Sequence, residues 1–252
     1  MCCFSRPVEQ VASTKIFARF VAPGEQALVY QMKVSMRRDL AMVLPLPVVP
    51  GSPDDAVRFV DLCEHPRFFK DLSKAFPTWM MATPAAFGVQ ASRGEAKKLE
   101  VVEVGDFEAS FVPSRADFSR LDARFRLPDE VFSNLPPDWG YAVFKLKSAG
   151  LLAALVPKLR EVHPMAFVFP SREDRLFFPT LHVHDGEVHA EADFDHMLYA
   201  QGEVRSTDWM PSYARLGEEV GETEGLVDLD EPGYRLTLRG THANEDVLLE
   251  VV

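Results

Sequence analysis

The chain is predicted to fold as an α+β protein dominated by antiparallel β-sheet, with a few short helices. Three observations carry that reading. Runs rich in Val, Ile, Phe, Tyr, Leu and Met recur with short Pro-Gly or charged breaks between them, and links that short favour antiparallel neighbours. Helical segments are few and do not alternate regularly with the strands, which argues against a parallel α/β sheet. Asp185-Gly186, flanked by alternating apolar and polar residues, is the best hairpin signal, because Asp-Gly supplies the positive φ angles of a type I′ turn.

Taken in order, residues 14–20, 27–34 and 39–48 are expected strands. The third ends in Leu44-Pro45-Leu46-Pro47. Proline cannot donate to a ladder, so that end belongs on an edge or outside the sheet. Ser52 as N-cap, Pro53 at the first helical position and Asp54 and Asp55 in the first turn predict a helix over 53–63. Ala56, Val60 and Cys63 would share its buried stripe, which makes Cys63 a core cysteine. Cys63-Glu64-His65 is then no triad, since adjacent helical residues do not face one another.

His65-Pro66 ends that helix, and a second is expected over 67–76. Residues 92–98 read as a loop, and 99–104 with 107–112 as a hairpin around Gly105-Asp106. Ser114 and Asp117 resemble a capping arrangement ahead of a helical stripe of Phe118, Leu121 and Phe125. A short helix is expected at 128–135, a strand at 140–147, a short helix at 150–156, and strands at 165–170 and 175–184. Beyond Gln201 the chain should be loop-rich and acidic until a strand at 234–238 and an apolar ending at 245–252. All of residues 1–252 are expected to form one domain, since 252 residues with 47% apolar content can bury a substantial core.

The net charge of −11 is unevenly placed: beyond residue 184 there are 17 Asp and Glu against 4 Lys and Arg. Such a surface repels phosphate backbones and disfavours nucleic acid, while it could attract a basic protein partner. Arg6, Glu9, Lys15 and Arg19 interrupt the start of the chain, so no secretory signal or membrane span is read, and a cytoplasmic location is expected. Three cysteines fit no disulfide framework. The sequence has no Gly-x-Gly-x-x-Gly, phosphate loop, Gly-x-Ser-x-Gly, His-Glu-x-x-His or Cys-x-x-Cys.

Four of the seven histidines fall within residues 178–196. A two-residue turn at Asp185-Gly186 would pair His182 with His189 and place His182, His184, Glu187, His189 and Glu191 on one face. Neutral imidazoles at that spacing suit a transition metal such as zinc or copper, with Glu187 or Glu191 as carboxylate ligand or orienter and an open position for water or a small-molecule ligand. His196 lies beyond the regular pairing and is expected to anchor the strand's end.

A second reading starts at Met1-Cys2. Removal of Met1 would expose a cysteine with its own amine as base, and with Ile16-Phe17-Ala18-Arg19 this stretch resembles the N-terminal-nucleophile cysteine hydrolases. The resemblance implies amide hydrolysis with Cys2 as nucleophile and Arg19 as its helper, although Phe20-Val21-Ala22 stands where that family continues with Asn and Asp. Met-Cys-Cys-Phe at the start, Met42 to Pro47 and residues 178–185 also resemble an uncharacterised family of bacterial hypothetical proteins, which implies a bacterial source and no activity. A noncatalytic interaction protein using the acidic C-terminal face is the third reading.

Overall fold

Alternation along the first long hairpin decides the architecture. The computed structural model describes residues 2–6, 8–77, 102–104, 107–121, 136–148, 158–183 and 188–251. Its elements are β1 (Cys2–Phe4), β2 (Gln10–Ala22), β3 (Glu25–Ser35), β4 (Leu40–Leu46), β5 (Arg58–Val60), α1 (Phe68–Leu72), β6 (Val102–Val104), β7 (Phe107–Val112), β8 (Gly140–Leu146), β9 (Arg160–Glu161), β10 (Met165–Pro170), β11 (Leu176–Phe178), β12 (His182–Val183), β13 (Glu191–Ala200), β14 (Met210–Arg215), α2 (Leu216–Val220), β15 (Pro232–Ala243) and β16 (Val247–Leu249). In β2 and β3, Ile16, Ala18, Leu28, Tyr30 and Met32 point one way, and Phe17, Ala27 and Val29 point the other. Both directions are apolar, so both faces must be covered.

One sheet has the order β12-β1-β4-β8-β7-β6, and a larger one the order β14-β15-β13-β2-β3-β10-β5 with β9 against β3; β11 and β16 form a two-stranded ribbon. The main core lies between the two large sheets, where Leu28, Tyr30, Phe167 and Phe169 meet Met42, Leu44, Phe107, Phe111 and Phe144. Behind the larger sheet, Phe17, Val29, Val168 and Tyr199 pack on Phe68, Phe69 and Leu72 of α1 and on Leu216 and Val220 of α2. Behind the smaller one, Ala41, Val43, Tyr141 and Val143 pack on Phe118 of a 3₁₀ turn, Arg115–Arg120. Burial on two faces explains why β4 is apolar without alternation.

The expectation of a β-dominated fold with a few short helices holds. It is refined in one respect: β1 pairs with β12, and β2 with β13, in parallel. These pairings join distant parts of the chain, where no short link imposes direction.

The expected helix over 53–63 is a correction. Residues 58–60 instead add an edge strand to β10, with Val60 opposite Ala166 and Phe59 opposite Phe167. Phe59 enters the inter-sheet core while Val60 packs with α1, a period of two that a helix cannot deliver. Cys63, expected in the core, is therefore exposed, and desolvation first, with Asp61 and Glu64 adding negative charge, holds its thiol pKa above the ordinary range. That opposes thiolate formation.

The second expected helix is found as α1 extended by the 3₁₀ turn Ser73–Ala75. Strands β2, β3, β4, β8 and β10 fall where the sequence places them, and β6 pairs β7 as expected. Pro45 lies opposite Tyr141 of β8, while the β1 register on the other side of β4 covers only Met42 and Val43, so the proline end is a local edge. The expected strand over 175–184 divides into β11 and β12 around Pro179. Beyond Gln201, β14 and α2 are additional to the loop expected there, and β15 is longer than foreseen. The expected features at 92–98, 128–135 and 150–156, together with Phe125 and both two-residue turns, lie outside the described residues. Among the described residues no helix is long and apolar enough to cross a membrane.

Candidate functional site

The chain from Leu176 to Val183 runs against the chain from Asn244 to Leu249, first by backbone and then by side chains. β11 and β16 pair as an ordinary antiparallel ladder from Leu176 opposite Leu249 to Phe178 opposite Val247. Past Pro179 the ladder is replaced. Thr180 Oγ1 donates to the Glu245 carbonyl at 2.8 Å and accepts from the Val247 N–H at 3.0 Å. Asp246 Oδ1 accepts from the Leu181 N–H at 2.8 Å. The Asn244 amide then imitates a strand: its Oδ1 accepts from the His182 N–H at 2.7 Å, and its Nδ2 donates to the carbonyls of His182 and His189, each at 3.0 Å. Asn244 is 8% exposed, so its own amide is satisfied by these protein groups rather than by water.

This clamp sets His182 on the rim of the smaller sheet, with Cys2 as its parallel register partner in β1. Across the seam, β13 alternates, so that Asp193 and Asp195 are exposed while Phe194 and His196 are buried. The His182 ring stacks on Phe194, with centroids 4.5 Å apart and planes at 28°. Its Nε2 lies 3.2 Å from Nε2 of His196, whose residue is 3% exposed. The two imidazole centres are 4.9 Å apart at 32°, so the rings lean over one another rather than meeting end to end. Phe194 also contacts His196 and, edge-on, His242. The Asp195 carboxylate stands 3.8 Å from His196 Nδ1 and accepts the N–H of Ser13. Ser13 has a positive φ of 54° at the register shift in β2, which turns that N–H out of the ladder and toward Asp195.

The expected His182–His189 cross-strand pair is therefore a correction. β12 and β13 belong to different sheets, and β13 pairs with β15 and β2 rather than with β12. His189 is exposed and its carbonyl shares the Asn244 amide with His182, while Glu191 is exposed opposite Ala243. His184 and Glu187 lie outside the described residues. Among the described residues no group of three or more His, Cys, Asp or Glu could hold a metal ion together. The partner that the sequence reading missed is His196. Its signal was available: alternation puts it on the same strand face as Leu198 and Ala200, both in the inter-sheet core.

Arg19 sits elsewhere. Ala18 of β2 is level with Ala200, so Arg19 stands about 16 Å along β13 from His196 at ~3.3 Å per residue. Its guanidinium is 3.4 Å from the Asp228 carboxylate. Asp228 opens onto the acidic part of the chain, where Glu218, Glu222, Glu224, Asp230 and Glu231 are exposed on α2 and the loop after it. Gln201, 3% exposed, pins that loop by accepting the Asp228 N–H and donating to the carbonyls of Asp228 and Glu231.

No family model matches the chain. Solved structures of baculovirus P35 are similar over nearly the full length. One crystal structure of P35 has 14% identity and a TM-score of 0.49, covering 96% of this chain and 97% of that chain. A mutated P35 after caspase cleavage has 12% identity and a TM-score of 0.49, covering 96% and 100%. P35 in its complex with caspase-8 has 10% identity and a TM-score of 0.46, covering 95% and 96%.

Proposed function

We propose that the protein binds a transition-metal ion through the imidazoles of His182 and His196. The observation that carries this reading is the 3.2 Å separation of the two Nε2 atoms. Two zinc–nitrogen bonds of ~2.0–2.1 Å at a tetrahedral angle hold their nitrogens roughly 3.3–3.4 Å apart, so an ion needs a shift of only about 0.1–0.2 Å. Without an ion, one ring donates and the other accepts at the same place. Neutral imidazoles suit zinc, copper and nickel, whereas calcium and magnesium take oxygen. His196 is held in the seam and His182 is half-buried at its rim, which leaves an entry path. Further coordination positions would fall to water or to a small-molecule ligand, the condition for Lewis-acid chemistry.

Titration calorimetry of tag-free protein tests this. One zinc or copper ion per chain is expected, with no magnesium heat, and binding should weaken as pH falls because protons compete for the same lone pairs. His182→Phe keeps a ring over Phe194, removes a donor and should abolish the binding. Equal affinity in wild type and variant sinks the reading.

A second reading, docking of a basic protein segment, is supported by the exposed carboxylates of α2 and its loop, which Gln201 anchors through hydrogen bonds to Asp228 and Glu231. A lysine-rich peptide should bind, weaken with added salt and lose affinity to a Glu218→Lys/Glu222→Lys/Glu224→Lys variant. Binding that ignores salt argues against it.

A further inference from the structure

We infer that occupancy of the His182–His196 pair controls the order of the N-terminal strand β1; this rests on the metal reading above. β1 is three residues long and its two ends are held differently. At Ser5 the hold is local and strong: the Ser5 N–H donates to the Ala41 carbonyl and the Ala41 N–H donates to Ser5 Oγ, each at 2.9 Å. Toward Cys2 the register with β4 covers only Cys3 and Phe4, and the other flank rests on β12, through Cys2 opposite His182 and Cys3 opposite Val183.

β12 is itself only two residues long, and on its outer side the Asn244 side chain takes the place of a strand. β12 meets the larger sheet both through Asn244, which directly follows β15, and through the His182 ring, which stacks on Phe194 and contacts His196. An ion shared by His182 and His196 would join β12 to β13, and β12 carries the backbone against which Cys2 and Cys3 are paired. Metal binding and ordering of the β1 start are therefore one coupled equilibrium: an ion that binds only the docked arrangement shifts it by the factor 1 + [metal]/Kd.

The test is amide hydrogen exchange on the full chain, with and without Zn²⁺, resolving the Cys3 and Phe4 amides of the N-terminal peptide, with the locally held Ser5 amide and the peptide of β8 as controls. At a hundred times Kd, exchange of the Cys3 and Phe4 amides is expected to slow by up to about a hundredfold, with Ser5 and β8 unchanged and with no slowing in His182→Phe. Wild type stripped with a chelator gives the same comparison without a substitution. If zinc binds by calorimetry but the Cys3 and Phe4 amides exchange at the same rate, this inference is overturned and the metal reading stands. If zinc does not bind at all, both fall.

Discussion

Phe167→Ala is expected to destabilise the protein by about 3–5 kcal/mol, the range for removing an aromatic ring from a core that cannot collapse around the hole. Phe167 is fully buried on β10, in ring contact with Phe59 at 6.2 Å, Phe144 at 5.8 Å and Phe169 at 6.0 Å. Phe144 belongs to the smaller sheet, and the others to the larger one, so the ring lies where the two sheets meet. Both walls are hydrogen-bonded ladders, which resist the inward movement that would fill the space. Urea unfolding should show a lower midpoint with an unchanged slope. A loss below about 1 kcal/mol would mean that the sheets do not pack at this point.

Asn244→Ala is the second large effect. Three backbone groups lose their partner together: the N–H and carbonyl of His182 and the carbonyl of His189. A buried group left unsatisfied costs about 1–3 kcal/mol, whereas an exposed one turns to water. His189 is exposed and His182 half-buried, which places the expected loss at about 2–4 kcal/mol. Asn244→Asp separates the hydrogen bonds from the shape. It keeps the acceptor for the His182 N–H but sets a carboxylate against two carbonyl oxygens, so it should be nearly as damaging as alanine. An aspartate variant as stable as wild type by the same urea unfolding would show that the amide is not the clamp.

The strands that sequence reading found were those with a face to bury in each direction. β2, β3, β4, β8 and β10 are dense in apolar residues because the sheets are covered on both sides. β5 was missed for a physical reason: Ser52-Pro53-Asp54-Asp55 is a sound helix start, but Phe59 and Val60 are worth more divided between two cores than placed on one helical stripe. β14 and α2 were missed because the first is a polar edge strand and the second a single helical turn, neither with a strong period.

At the site, His182 was legible and its partner was not. The Asp185-Gly186 signal describes a local turn, and a local turn says nothing of which sheet each flanking strand joins. Parallel pairing of β12 with β1, more than 170 residues away in the chain, leaves no local trace. The same is true of Asn244, whose role as a substitute strand exists only once β11 and β16 have brought residues 180–182 against 244–246.

Pulsed electron paramagnetic resonance of bound Cu²⁺ tests the His182–His196 centre most directly, because it counts the imidazole nitrogens on the ion. Coupling to two imidazoles in wild type, falling to one or to an unbound spectrum in His182→Phe, is the expected result. Identical copper spectra from wild type and variant would contradict it.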